Sequence, residues 1–292
     1  MLKSFKFRLF PSKSQVTKLE TTLELCRELY NAALSERREA WATQKKSITY
    51  LDQQNVLPEI KAIREDIAEI HSQVLQDVLR RLDKGFKAFF SRIKKGAKAG
   101  FPRFKGKNRY DSFTYSQSGF ALKGNKFQLS KLGLFKIKWH REIIGKIKTL
   151  TITRSSTGKW FACFSVKTAE EILEPTNQQI GIDVGIKSFA VFSNGTEIDN
   201  PKFFRFDEKD LAKAQKKKNR KRTAKIHERI KNRRNNFVHQ VSRYLVDNFD
   251  LIVFEKLKIS NMVKNSRLAK SIIRDFPFRA DNIHKSLWLD CS

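Results

Sequence analysis

Hydrophobic and polar residues alternate over the first ten positions of the chain. Phe5, Phe7 and Leu9 fall on one side of this segment, and Lys6 and Arg8 fall on the other. A period of two residues is typical of a β-strand with one face buried and one face in water. The pattern therefore predicts a strand that ends before position 11.

Helical periodicity replaces this alternation between residues 13 and 95. Apolar residues recur at steps of three and four from Val16 to Ala33, which predicts an amphipathic helix that ends near residue 46. A second helical region begins near Leu51 and is broken or restarted at Pro58. A third apolar face runs from Val74 to Ile93. We expect these segments to form a helical bundle.

A run of short strands follows a loop over residues 96–107 that is rich in glycine and lysine. Turn signals at residues 123–125 and 155–158 separate the strands and indicate an antiparallel barrel or sandwich. The strand at the start of the chain most simply pairs with this sheet, which would make the helical bundle an insertion into a β domain. The six predicted strands are Ser112–Tyr115, Phe120–Leu122, Lys126–Leu129, Leu134–Trp139, Lys148–Arg154 and Lys159–Lys167.

The pattern from residue 179 onward predicts an α/β arrangement. A strand that ends near Asp183 leads through a glycine turn into a second strand, and an Asn-Gly turn leads into a third strand near Glu197. One long basic helix is predicted across residues 209–234, which contain 13 Lys and Arg against two acidic residues. The run LIVFE at Leu251–Glu255 then predicts a further strand.

Charge indicates the class of partner. The 292 residues carry 60 Lys and Arg against 30 Asp and Glu, a formal net charge of +30, while 40% apolar residues are enough for a folded core. The basic residues are spread along the whole chain, which favours nucleic acid over an anionic membrane surface. No signal peptide and no membrane span are expected.

The cysteines and histidines exclude several classes of site. Three widely spaced cysteines form no C-x-x-C pair, so we expect no disulfide framework and no zinc, and a reducing cytoplasm is the default location. The five histidines have no metal-ligand spacing. No Ser/His/Asp triad or phosphate-binding loop is present, which argues against hydrolases of that type and against NTPases.

Two carboxylates stand at the ends of predicted buried strands. Asp183 ends the first strand of the α/β region, and Glu255 ends the last. If these strands are neighbours in one sheet, the two carboxylates converge and can bind divalent cations through oxygen. The alternative from the residues alone is that each is an ordinary solvated residue at a strand end.

Three groups of residues are candidates for contact with nucleic acid. Those in the basic helix suit phosphate contact, although a merely solvated charged face is the alternative. Those in the glycine-containing loop suit sugar-phosphate contact and stacking. The polar residues of the third helix could read base edges or could be ordinary surface residues. In that order the groups are Lys216, Lys217, Lys218, Arg220, Lys221, Arg222, Arg229, Arg233 and Arg234; Lys105, Lys107, Arg109 and Tyr110; and Gln73, Gln76 and Arg80.

Six segments occur in order along the chain: KSFKFRLFPSKSQ, CRELYN, VLQDVLRRLDKGFKAFF, GFPRFKGKNRYDSFTY, IGIDVGIKSFAVFSNG and VFEKLKISNMVKN. Together they resemble the TnpB (OrfB) family of insertion-sequence transposase-associated proteins. The resemblance implies RNA-guided, Mg²⁺-dependent DNA cleavage, with guide RNA and target DNA as partners. It also implies that Asp183 and Glu255 are the first two carboxylates of a metal-binding triad.

The same resemblance implies an α+β fold of three parts. An antiparallel β-barrel (wedge) domain, residues 1–12 and 99–172, is expected to hold a helical recognition insertion, residues 13–98. An incomplete RNase H-like (RuvC) α/β domain is expected over residues 173–292. The sequence makes no prediction of oligomeric state.

The end of the chain departs from the family pattern. The four-cysteine zinc ribbon and the third catalytic aspartate of the family have no counterpart after Ser271, and the contexts of Asp275, Asp281 and Asp290 support none of them as a substitute. We therefore expect a frameshift or premature stop and a nuclease-deficient protein. The alternatives are an RNA-guided repressor that binds DNA without cutting it, and a non-functional truncated fragment.

Overall fold

The computed structural model describes residues 1–169 and 174–255. The chain divides into two compact units, which are treated separately below. The first unit comprises Leu2–Thr168, and the second comprises the residues from Ala169 onward together with Met1.

In the first unit, a strand precedes the helices, and the first two helices begin where the sequence supplies a capping side chain. Ser12 and Gln15 form a capping box at the start of the first helix, and Thr49 and Asp52 form another at the start of the second. Pro58 lies in the first turn of the third helix, where its missing N–H costs nothing. The elements are β1 (Leu2–Phe10), α1 (Lys13–Gln44), α2 (Tyr50–Asn55), α3 (Leu57–Ile63), α4 (Glu65–Ala68) and α5 (Ser72–Lys94).

Six further strands complete the sheet of the first unit. They are β2 (Ser112–Tyr115), β3 (Phe120–Lys123), β4 (Lys126–Leu129), β5 (Gly133–Lys138), β6 (Lys146–Arg154) and β7 (Trp160–Lys167). All pairings are antiparallel, in the order β2-β6-β7-β1-β5-β4-β3. β1 lies between β7 and β5, so the predicted pairing of the first strand with the later sheet is confirmed.

The sheet forms a nearly closed barrel, and its two edge strands, β2 and β3, are joined by the short segment over residues 116–119. The Tyr115 hydroxyl donates to the Ser130 carbonyl at 3.1 Å, and the Ser130 N–H donates to the Gly119 carbonyl at 2.8 Å. Gly119 has a φ of +90°, and a Cβ there would lie 2.7 Å from Tyr115 Cδ1. Glycine is therefore required where the chain passes from one edge of the barrel to the other.

One hydrophobic core serves both the barrel and the helices. Phe7 and Leu9 of β1 are fully buried, and the Phe7 ring lies 5.9 Å from Phe164 of β7. The same cluster contains Leu19 of α1 and Leu75 of α5. The helical segment and the barrel are therefore packed as one unit.

Arg81 of α5 ties the helices to the edge strand β2. Its Nη1 donates to the Ser112 carbonyl at 2.8 Å, and its Nη2 donates to Thr114 Oγ1 at 2.7 Å. Its Nε donates to Asp77 Oδ2 at 2.7 Å, so the guanidinium is held on three sides. This arrangement fixes the position of α5 relative to β2.

The second unit contains a four-stranded sheet and two helices. The elements are β8 (Gln179–Asp183), β9 (Ser188–Phe192), β10 (Glu197–Asp199), α6 (Phe203–Lys216), α7 (Arg220–Asn248) and β11 (Leu251–Phe254). The strand order is β10-β9-β8-β11, and β11 runs parallel to β8. Val241 and Leu245 of α7 pack on Ile180 and Ile182 of β8.

The prediction of one long basic helix across residues 209–234 is wrong, because the structure divides this segment between two helices, α6 and α7. Lys218 adopts a left-handed backbone with φ of 48°, and the Asn219 side chain caps α7 by accepting from the Arg222 N–H at 2.9 Å. The two helices pack together as a hairpin around Leu211 and Ile226. The break between the helices lets α6 and α7 bury apolar side chains against each other, and such packing stabilises helices more than continued helical hydrogen bonding does.

Replacement of Arg81 by alanine should destabilise the first unit. It would leave the Asp77 carboxylate and two acceptors of β2 without their donor, at a cost of about 2–4 kcal/mol. Chemical denaturation followed by circular dichroism measures this cost. Arg64→Ala is the control, because it removes an exposed ion-pair network and should change the midpoint far less. Equal effects of the two substitutions would contradict the role given to Arg81.

Candidate functional site

Asp183 and Glu255 are neighbours across the parallel ladder of β8 and β11. The ladder pairs Ile182 with Phe254, so the next residue along each strand is Asp183 on β8 and Glu255 after β11. Adjacent strands are about 4.8 Å apart, and partners in register point to the same face. The structure thus brings together the two carboxylates that the sequence singled out.

Both carboxylates lie on the face of the sheet opposite α7. Ile182 and Phe254 pack in the cluster that contains Leu245 of α7, and side chains alternate between faces along a strand. Asp183 and Glu255 are accordingly exposed. Their face is open to an incoming ligand in the part of the chain that the structure describes.

Asp250 fixes the start of this ladder. Its Oδ1 accepts from the Thr176 N–H and hydroxyl, both at 3.0 Å, and its Oδ2 accepts from the Asn177 N–H at 2.7 Å. The Asp250 N–H in turn donates to the Gln178 carbonyl at 3.0 Å. The backbone hydrogen bond from Thr176 holds the pKa of Asp250 below its usual value. This carboxylate clamps the residues that precede β8 to those that precede β11.

The donor set suits a magnesium ion but supplies only part of its coordination. Carboxylate oxygens are the ligands that Mg²⁺ prefers, and two of them are adjacent here on an exposed face. No group of three or more His, Cys, Asp or Glu residues that could hold a metal occurs within residues 1–169 and 174–255. The pair therefore fits one side of a divalent-cation site, with water free to fill other positions.

The most basic segment of the second unit is the tip of the α6–α7 hairpin. Six of the seven residues from Lys216 to Arg222 are Lys or Arg, and all seven are exposed. Three of them occupy the first turn of α7, where the helix dipole is itself positive and no acidic residue is present. An anion bound at this tip would reduce the repulsion among the basic side chains and the repulsion between them and the positive end of the α7 dipole.

Arg229 and Arg233, unlike the residues of the hairpin tip, form ion pairs within the protein. Both pair with Asp207 of α6, which is 4% exposed, and the Arg233 Nη1 lies 3.3 Å from Asp207 Oδ2. They therefore brace the hairpin, whereas Lys216, Lys217, Lys218, Arg220 and Lys221 present their charge to solvent. Arg234 is only partly exposed.

The loop over residues 98–109 is hydrogen-bonded to α1 at Lys105. Asn31 Nδ2 donates to the Lys105 carbonyl at 2.9 Å, and the Lys105 N–H donates to Asn31 Oδ1 at 2.8 Å. Lys107 and Arg109 are exposed beyond this anchor. The backbone anchor presents both cations on a fixed segment.

Tyr110 does not have the position expected for stacking on a base. Its side chain is 6% exposed and belongs to the core of the first unit, 6.3 Å from the Tyr30 ring. Burial raises the pKa of its hydroxyl well above the usual value. The ring is a core side chain, because the segment that leads into β2 turns inward after Arg109.

Two of the three polar residues predicted on α5 are engaged within the protein. Gln73 Oε1 accepts from the N–H groups of Gln117 at 2.9 Å and Ser118 at 3.0 Å, which secures the turn between β2 and β3. Arg80 Nη2 donates to the Tyr50 hydroxyl at 3.2 Å. Gln76 is partly exposed.

A basic surface on the barrel escaped the sequence analysis. The register places Arg8 directly opposite Lys138, Lys136 opposite Lys126, and Lys126 opposite Lys123. Like charges at directly opposed positions destabilise a sheet. Only the alternation in β1 hinted at this surface. We call the six cations of this outer face the barrel stripe: Lys6, Arg8, Lys123, Lys126, Lys136 and Lys138.

Comparison with known families yields two matches. Residues 163–266 match the OrfB_IS605 profile, described as "Probable transposase". Residues 1–46 match a profile described as a helix-turn-helix domain. In the structure those residues form β1 and the single uninterrupted helix α1, with no turn between two helices within α1.

Curated relatives extend the match to most of the chain. A protein of Streptomyces pristinaespiralis named "Putative RNA-guided DNA endonuclease" is 32% identical over 288 residues, which cover 92% of this chain and 70% of that protein. The chain belongs to the OrfB_IS605 transposase family. A second relative, "Putative RNA-guided DNA endonuclease InsQ" of Escherichia coli K12, is 31% identical over 284 residues, which cover 91% of this chain and 68% of InsQ. The resemblance to the TnpB (OrfB) family is thereby confirmed.

A solved structure is similar over nearly the whole chain at low identity. It is a cryo-EM structure of a Cas12f1–sgRNA–target DNA complex, 14% identical, with a TM-score of 0.39 over 99% of this chain and 82% of that one. Separately, the helices within residues 1–169 and 174–255 are each too short or too polar to cross a membrane.

Replacement of Asp250 by asparagine should loosen the β8–β11 ladder. The new amide keeps one acceptor but cannot accept from the Asn177 N–H. Hydrogen exchange over residues 176–183 should therefore become faster, and the melting temperature should fall. Asp247→Asn, which removes only an exposed ion pair with Arg243, is the matched control.

The effect should depend on pH in a defined direction. Because the folded-state pKa of Asp250 is lowered, its stabilisation is present above the usual aspartate pKa of about 3.9 and is lost as pH falls through the lower folded value. The difference in melting temperature between wild type and Asp250→Asn should shrink below about pH 4. A difference that grows in acid would show that the carboxylate does not act as described.

Proposed function

We propose that this chain binds a guide RNA and a target DNA and that Asp183 and Glu255 form the metal-binding pair of a nuclease site. The parallel register of β8 and β11, which sets the two carboxylates side by side on an exposed face, carries this proposal. Membership of a family with curated relatives named as RNA-guided DNA endonucleases supports the choice of substrate.

The proposed domains follow from the same assignment. The second unit is a RuvC-type, RNase H-like domain, in which the mixed four-stranded sheet presents the carboxylates. Residues 1–12 and 99–172 act as the wedge domain and residues 13–98 as the recognition insertion. The shared core supports treating the wedge domain and the insertion as one rigid body during binding.

Asp183 and Glu255 would hold Mg²⁺ through their carboxylate oxygens. When bound, divalent cations of this kind activate a water molecule and stabilise the leaving oxygen of a phosphodiester. The contribution of the chain is to fix both carboxylates on adjacent strands, with the Asp250 clamp preventing them from sliding apart. The face opposite α7 leaves room for a phosphodiester beside them.

We propose further that DNA cleavage by these 292 residues is slow or absent. Within residues 1–169 and 174–255, two carboxylates rather than three converge. A two-carboxylate site binds Mg²⁺ weakly because water must replace a charged ligand. The same observation favours the second candidate function, an RNA-guided repressor that occupies DNA without cutting it.

Three surfaces are proposed to contact the phosphates of the nucleic acids. They are the hairpin tip from Lys216 to Arg222, the exposed loop cations Lys107 and Arg109, and the barrel stripe. Each concentrates like charges that destabilise the free protein, and counterion release on phosphate binding reverses that cost. Arg229 and Arg233 support the tip through Asp207.

The cleavage reaction separates the two candidate functions. The chain would be purified with its cognate guide RNA and incubated with Mg²⁺ and a plasmid that carries the matching target. We expect the plasmid to be retarded in a gel but not cut. Robust cleavage that Asp183→Asn abolishes would disprove the proposed deficiency while supporting the site.

Cation binding tests the carboxylate pair without cleavage. Mn²⁺ binding, followed by electron paramagnetic resonance, should weaken in Asp183→Asn and in Glu255→Gln by at least about tenfold, since even the removal of a group that only hydrogen-bonds to a metal ligand can cost that much. Asp199→Asn, on β10 at the other edge of the sheet, is the control. Unchanged Mn²⁺ affinity in the two site variants would refute the metal assignment.

The barrel stripe predicts opposite effects on stability and binding. Lys138→Thr removes a like-charge partner of Arg8, so the free protein should become more stable by about 0.2–1 kcal/mol. Affinity for duplex should fall, and the slope of log affinity against log salt should decrease by about 0.9 for each phosphate that the variant no longer neutralises.

Lys148→Thr is the matched control for this substitution. Lys148 is an exposed strand lysine at the irregularity in β6, where the register leaves it without an opposed residue. The control removes the same charge without relieving a cross-strand repulsion. If both variants behaved alike in stability and salt dependence, net charge alone would explain binding and the stripe would have no special role.

A further inference from the structure

A groove of about 870 Å³ opens among the helices of the first unit. It lies between the last turns of α1, the start of α2 and the second half of α5, and the segment after α5 closes one side. Its volume falls within the range of about 300–1,000 Å³ that is typical of ligand sites. The apolar residues that line it include Trp41, Leu51, Phe86, Phe89, Phe90 and Phe101.

Large aromatic rings in this groove are exposed to solvent. Trp41 is 58% exposed, Phe90 60% and Phe101 43%. Phe101 is held edge-on by Phe86 at 5.3 Å and by Phe89 at 5.2 Å, so its position is fixed before any ligand arrives. A contiguous exposed apolar patch of this kind marks a binding surface.

A buried guanidinium nitrogen at the groove also lacks a partner. Arg37 is 8% exposed, its Nε donates to Gln53 Oε1 at 2.8 Å, and its Nη1 lies 3.4 Å from Asp83 Oδ1. Its Nη2 is buried and has no hydrogen-bond acceptor within the described residues. The guanidinium also lies over the Phe86 ring at 5.2 Å, so Arg37 is held at the groove by this ring, by Gln53 and by Asp83.

The charge of the groove identifies the type of ligand. Arg38, Lys46 and Lys87 line it with Arg37, and its one acidic residue, Asp83, is engaged by Arg37 and by Lys87 at 2.8 Å. A second copy of this chain, at +30, would be repelled from such a surface. Flat aromatic rings beside unneutralised cations suit nucleobases joined by phosphates.

We propose that this groove binds an unpaired segment of RNA, with bases stacked on Trp41, Phe90 and Phe101. This inference rests on the proposed function, in which the chain binds a guide RNA. Only unpaired bases offer their faces for stacking, since a duplex keeps its bases stacked on one another. Arg38 and Lys46 neutralise phosphates.

RNA is favoured over DNA by the acceptors at the groove. The 2′-hydroxyl of RNA is a donor that DNA lacks. The Ser47 hydroxyl and the Asp83 carboxylate line the groove and can accept from it. The groove is therefore assigned to unpaired nucleotides of RNA.

Fluorescence anisotropy of labelled oligonucleotides tests the assignment on the full chain. The ligands are an adenine RNA of about 12 nucleotides, DNA of the same sequence, and an RNA duplex of equal length. The variant is Trp41→Ala combined with Phe90→Ala. We expect its affinity for the single-stranded RNA to fall about 5- to 100-fold and its affinity for the duplex to stay unchanged.

Ile63→Ala is the control, because Ile63 is 83% exposed on α3 and does not line the groove. It should leave both affinities unchanged, and circular dichroism should show that all variants are folded. Photocrosslinking of a thio-substituted RNA should label peptides that contain Trp41 or Phe101. Crosslinks confined to other surfaces would overturn the assignment.

Several other outcomes would overturn the groove assignment, and one of them would overturn the proposed function as well. Equal loss of single-strand and duplex binding, or equal wild-type affinity for the RNA and DNA strands, would overturn the groove assignment. So would a concentration-dependent dimer in sedimentation that the double variant abolishes while RNA binding persists. Wild type that binds duplex but no single strand refutes the groove and leaves the proposed function standing, whereas wild type that binds neither refutes both.

Discussion

The carboxylate pair depends on one parallel ladder between β8 and β11. Partners in a ladder share a face, so a slip of one residue would place Asp183 opposite Phe254 and turn Glu255 toward the covered side of the sheet. Asp250 prevents this slip because its carboxylate accepts three hydrogen bonds from the residues just before β8. The geometry of the candidate metal site is thus set by a residue outside it.

The sequence located the strands and the two carboxylates well because both signals are local. Alternation in short segments marks each strand of the barrel, and Asp183 and Glu255 stand out at the ends of apolar runs. The barrel stripe could not be found in this way. Its like-charge pairs arise only when β3, β4, β5 and β1 are placed side by side, and pairing between distant strands is not written in any one segment.

Tertiary contacts also explain the basic hairpin, where the sequence prediction was wrong. No glycine or proline occurs at residues 217–219, and helical periodicity continues through Ile226 and Ile230, so local signals favour one helix. Instead, Arg229 and Arg233 of α7 form ion pairs with the buried carboxylate of Asp207 on α6, and these pairs hold the two helices against each other. Charges that look equivalent in the sequence are therefore divided into those that hold the fold together and those that remain for a ligand.

The position of β1 constrains the order in which the barrel can fold during synthesis. Leu2 pairs with Lys167, and β5 and β7 flank β1 on its two sides, so β1 is synthesised before both of its partner strands and lacks one of them until β7 emerges. Helices α1 to α5 form from local contacts and can fold earlier. During synthesis β1 therefore remains unpaired until its partner strands are made. Its alternating lysine and arginine side chains disfavour pairing of this exposed strand with other chains.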